Sequence, residues 1–185
     1  RTCYIGDRAS IWMYLVSESG ARTIVALFLL LLSFFCIVVC QILKFVHKMK
    51  LPLYYLAWTI FFGALWMLSE IEFRQIIFRN VSVLTNYTYW SLMLIPFPLL
   101  LYMNIIQERR YEKVYFVPIV YNVFVLIVGT ALQLFEVVQF VQQLPFIHGG
   151  MILSVICVIA TITVDVFVKR IYDYVAVGIG VYGML

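Results

Sequence analysis

Asp165 is the one ionisable residue inside a long apolar run of this chain, and a carboxylate among apolar neighbours calls for a partner. Lys169 and Arg170 follow within about a turn, and on a helix Asp165 and Lys169 share a face. That spacing points to an anchor at a membrane interface; an ion or proton pathway would carry further acids or bases at mid-run, and none appears. Glu70 and Arg74 are likewise four apart and, with Ser69, Glu72 and Gln75, form a polar cluster beside another apolar run. Such a pair contributes about 0.3–0.5 kcal/mol when exposed, and the cluster is a candidate for receiving a push from an external domain. Its alternative is a solvated helix end. Pro96 and Pro98 form a third feature, a kink within an apolar run that serves either as a hinge or as a static bend.

Other chemistry finds no constellation. Cys36 and Cys40 share a helix face but lack a third ligand, while Cys3 and Cys157 stand apart. His47 and His148 fall on opposite sides of the membrane in the topology derived below. No Gly-rich phosphate loop, nucleophile elbow or paired-carboxylate site occurs, so no catalytic, cofactor-binding or metal-binding residue is assigned.

The elements that must position these residues follow from composition. Of 185 residues, 65% are hydrophobic and 12% charged, against about 45–50% and about 25% in a soluble domain. Thirteen Lys and Arg with nine Asp and Glu cannot cover a water-facing surface, so the missing solvent is lipid. A net charge of +4 spread over short segments indicates membrane orientation and argues against a nucleic-acid-binding face. Five apolar runs have the length of a crossing: Thr23 to Leu43, Leu51 to Ser69, Tyr87 to Ile106, Val114 to Leu134 and Gly149 to Phe167. Val175 to Leu185 begins a sixth, giving about 16 Å of helix where a crossing needs about 30 Å. The expected fold is an all-α polytopic transmembrane bundle of five complete helices and a truncated sixth. Before it, residues 1–21 read as an external linker carrying a short interfacial helix from Arg8 to Ser19, and residues 22–185 as the membrane module.

Basic residues are retained on the cytoplasmic side. The segments after the first, third and fifth runs hold Lys44, Lys48, Lys50, Arg109, Arg110, Lys113, Lys169 and Arg170; the opposite side holds Arg1, Arg8, Arg22, Arg74 and Arg79. Eight against five places the N-terminus outside. A chain that opens on Arg1 and stops within an apolar run is expected to continue in both directions.

Three stretches carry a resemblance. Tyr4-Ile5-Gly6, followed by the amphipathic segment and the first run, is one; Leu65-Trp66-Met67-Leu68-Ser69-Glu70 is the second; Leu94-Ile95-Pro96-Phe97-Pro98-Leu99-Leu100 is the third. In order and spacing they resemble the bacterial seven-transmembrane receptors with diverse intracellular signalling modules, particularly those attached to GGDEF diguanylate cyclases. The resemblance implies seven helices in the inner membrane, an extracellular sensor domain or ligand, and a cytoplasmic output domain in the same parent chain, a cyclase or a histidine kinase. It also implies a homodimer. Within this chain it draws attention to Trp66, Ser69, Glu70, Arg74, Pro96 and Pro98 as relay residues. A fragment of a transporter or channel is the alternative, against which stand the few mid-membrane charges and the absence of visible inverted repeats.

Overall fold

A computed structural model describes residues 8–47, 51–70 and 81–168. Among the described residues all regular structure is helical: α1 (Arg8–His47), α2 (Leu53–Glu70), α3 (Val81–Leu94), α4 (Pro96–Ile106), α5 (Glu112–Leu134), α6 (Phe140–Thr163) and a π-helical turn at Val164–Val168. Four stretches are long and apolar enough to cross a membrane: Gly20–Val46, Asn86–Ile106, Glu112–Leu134 and Phe140–Phe167. The protein is an all-α membrane protein, and its chain divides into two compact units, Arg1–Ile95 and Pro96–Leu185.

In the first unit α1 packs against α2, and α2 against α3. Ala26, Ser33 and Cys40 recur every seventh residue on α1 and are buried, as are Ala57 and Ala64 on α2. Small side chains at this period let two backbones approach closely, which matters where lipid offers helices no hydrophobic incentive to associate. Ile24, Phe28, Leu31 and Phe35 lie on the exposed side of α1, the side suited to acyl chains. At the corner between the two helices Gln41 Nε2 donates to the Tyr54 hydroxyl at 2.8 Å. Lys44 Nζ lies 5.7 Å from the centre of the Tyr54 ring, close enough for a cation–π contact. Tyr54, Trp58 and Phe62 continue this aromatic column along α2, with Trp58 and Phe62 stacked at 5.4 Å.

One expectation is corrected. The segment from Arg8 to Ser19 is helical, but it is not a separate interfacial helix: α1 runs through it without a break for 40 residues. Gly20 is the only weak point at the join, and a mid-helix glycine costs about 1 kcal/mol, too little to interrupt a helix flanked by good formers such as Ala21 and Arg22. The run from Leu51 to Ser69 folds as α2, whose 18 residues make about 27 Å of helix with Tyr54, Tyr55, Trp58 and Trp66 spaced along it. The truncated sixth run lies outside the described residues.

In the second unit α4, α5 and α6 pack against one another. Ile95 is a turn between α3 and α4, so the predicted kink is a full interruption, with Pro96 at the first helical position. Proline fits there because the first N–H groups of a helix have no intrahelical acceptor and its fixed φ suits the helix.

Candidate functional site

The site is a set of polar side chains buried inside the second unit at its basic end. It begins where α4 stops. The Arg109 N–H bonds to the Asn104 carbonyl at 2.7 Å and the Glu108 N–H to the Ile105 carbonyl at 3.0 Å, the paired closure that ends many helices. That closure needs a left-handed residue, usually glycine; Glu108 adopts φ 52° and Arg109 follows at φ 56°. For residues with a Cβ each left-handed position costs roughly 1–2 kcal/mol, so the surroundings must hold the turn in place.

What holds it is Asp165. Its side chain is fully buried, and Oδ1 accepts a hydrogen bond from the Tyr111 hydroxyl at 2.7 Å and one from Arg110 Nη1 at 3.3 Å. Arg110, about a third exposed, also stands 3.8 Å from Glu108, a contact too exposed to contribute much. Arg110 and Tyr111 are the two residues immediately beyond the left-handed pair, and they reach a carboxylate more than fifty residues away in sequence.

One helical turn deeper a second rung repeats the arrangement. Tyr115, four residues after Tyr111, is fully buried; its hydroxyl donates to Gln107 Oε1 at 2.6 Å and shares a hydrogen bond of 2.5 Å with Thr161 Oγ1. Thr161 lies four residues before Asp165, so α5 and α6 run antiparallel in step. Further along the same seam Asn122 Nδ2 donates to Ser154 Oγ at 3.0 Å and to the Pro118 carbonyl at 2.7 Å, with Gly150 directly opposite. A methyl group on Gly150 would run into Asn122 Oδ1 and fall 3.1 Å from Tyr121 Cε1, so the glycine sets how closely these helices approach.

Chemically, the arrangement positions and locks. Among the described residues no three metal-ligating side chains gather, and the carboxylate at the centre is already bound to its cation and to a phenol. Asp165 was expected to pair with Lys169 on its own helix; its described partners are Arg110 and Tyr111, because the return of α6 along α5 brings the α4–α5 turn within reach. Lys169 lies outside the described residues.

Of the proposed relay residues that are described, three lie on α2 and two on α4. Trp66 is half-buried on α2, Ser69 is buried and donates to the Leu65 carbonyl of its own helix at 2.8 Å, and Glu70 is exposed at the helix end. Arg74 lies outside the described residues. Pro96 and Pro98 are buried at the start of α4. Sequence reasoning missed Gln107, Arg110, Tyr111 and Tyr115 as members of this network, while Thr161 was expected only as a polar residue able to bond across helices. A signal was present: Arg110 and Asp165 both belong to segments that the charge count assigns to one side, so opposite charges in such segments could have been matched. Comparison with known protein families, with curated proteins and with solved structures finds no match.

Proposed function

We propose that the chain is the membrane portion of a signal transducer, with its N-terminus outside the inner membrane, passing an extracellular cue to a cytoplasmic output such as a GGDEF diguanylate cyclase. The observation that supports this reading is the unbroken α1. Its 40 residues make about 60 Å of helix, twice the hydrocarbon thickness, so the extramembrane segment and the span move as one rod. A flexible joint at this place would let an external domain move without consequence inside. Crowding of Lys and Arg at the Lys44 end of α1 and at the α4–α5 turn supports the orientation.

The test is made on the parent protein expressed to its natural stop codon. Cyclic-di-GMP formation that changes when four flexible residues, Gly-Ser-Gly-Ser, are inserted after Ser19 supports a relay through α1. Activity indifferent to the insertion removes that relay. A parent made only of further helices repeating this arrangement, with solute flux and no output domain, overturns the reading in favour of a transporter or channel.

A further inference from the structure

We propose that residues 107–111 form a strained turn latched shut by Asp165, a conformational device built into the basic end of the second unit. Three observations combine. Glu108 and Arg109 occupy consecutive left-handed positions that favour glycine. The next two side chains, Arg110 and Tyr111, both close on one buried carboxylate oxygen. That carboxylate sits in the π-helical turn ending α6, and the neighbouring rung ties Gln107, the residue before the strained pair, to Tyr115 and Thr161. The turn is therefore gripped on both flanks while its middle is under strain.

The balance has a definite sign. Contacts with Asp165 exist only when the turn is closed, whereas the left-handed backbone is unfavourable only when it is closed. Removing the carboxylate charge or its hydrogen bonds leaves the strain opposed only on the Gln107 flank, and Glu108 and Arg109 relax toward ordinary helical or extended values. Arg110 and Tyr111 then swing away from α6. An internal control stands at the other end of α5, where Glu136 closes that helix with one left-handed residue at φ 57°. Its backbone closure is the same, Val137 N–H to the Leu132 carbonyl and Glu136 N–H to the Gln133 carbonyl, but among the described residues no second left-handed position follows and no ion pair grips it. The latch is found where the strain is doubled. Nothing in this device depends on the signalling role proposed above.

Trypsin reads the latch directly, because Arg109 and Arg110 are exposed cleavage sites that a rigid turn protects. In the purified full chain in lipid nanodiscs, Asp165→Asn is expected to speed cleavage after Arg110 by at least tenfold while cleavage after Lys44, in the other unit, keeps its rate. Adding Glu108→Gly and Arg109→Gly to that variant relieves the strain and is expected to return most of the protection. Tyr111→Phe, which removes one hydrogen bond without leaving a charge unpaired by its cation, gives a smaller acceleration of a few-fold and serves if Asp165→Asn does not fold. Unchanged cleavage after Arg110 in Asp165→Asn, or in Tyr111→Phe where that is the variant that folds, overturns the proposal. So does an equal acceleration at Lys44, or a glycine pair that restores nothing.

Discussion

The two ends of α5 solve one problem with different chemistry. At each, a helix must stop, turn within five residues and send the next helix back, and at each a glutamate takes the left-handed position. At the basic end the turn is completed by a buried carboxylate, an arginine and a tyrosine. At the other end neutral amides do the work: Gln133 Oε1 accepts from the Phe140 N–H at 2.8 Å, and Gln143 Nε2 donates to the Val138 carbonyl at 3.0 Å and the Gly129 carbonyl at 3.3 Å. The difference teaches that a shared pattern of backbone closure does not define a site. An amide bonded to carbonyls loses modestly when cut, whereas a buried charge left without its partner costs several times more, so only the basic end responds steeply to a single change.

That contrast yields a ranked set of expectations, all read by thermal unfolding in detergent micelles. Arg110→Ala strands the Asp165 carboxylate and is expected to destabilise the second unit by about 3 kcal/mol or more. Gln143→Leu at the opposite end removes two neutral hydrogen bonds and should cost about 1–2 kcal/mol; a loss equal to that of Arg110→Ala would erase the distinction between the ends. Between them, Gly150→Ala forces Asn122 off its partners and is expected to cost about 1–3 kcal/mol, with Ser154→Ala in the same background adding little because the bond is already broken. Smallest is Glu136→Gly, which should stabilise by about 0.5–1 kcal/mol by relieving its left-handed strain. A destabilisation there would mean that the glutamate side chain holds the turn by some contact of its own.

Much of the fold was legible because lipid imposes a coarse rule. Uninterrupted apolar length specifies helices, and each of the five runs is helical, with Pro96 and Pro98 marking the interruption. One detail escaped that rule. A run of residues cannot reveal that Arg8 to Ser19 and the first span form one rod, since a glycine at position 20 suits a joint as well as a helix. The site was less legible still. Asp165 stood out as a charge in an apolar setting, but the nearest basic residues along the chain were its neighbours in sequence, while the partners described are set by how α5 and α6 align. Thr161 was legible only as a polar residue able to bond across helices, and Tyr115 carried no signal until the antiparallel register puts the two face to face.

The long sequence separation of Asp165 from Arg110 also fixes an order of events during synthesis. The turn is made 55 residues before the carboxylate that closes it, and at about 5–20 residues per second that is a wait of roughly 3–11 s. Throughout that interval Arg110 has no buried acid to meet, and α4 and α5 reach the bilayer with their connection unfastened. Completion of this end of the molecule is thus timed by the arrival of its last described helix.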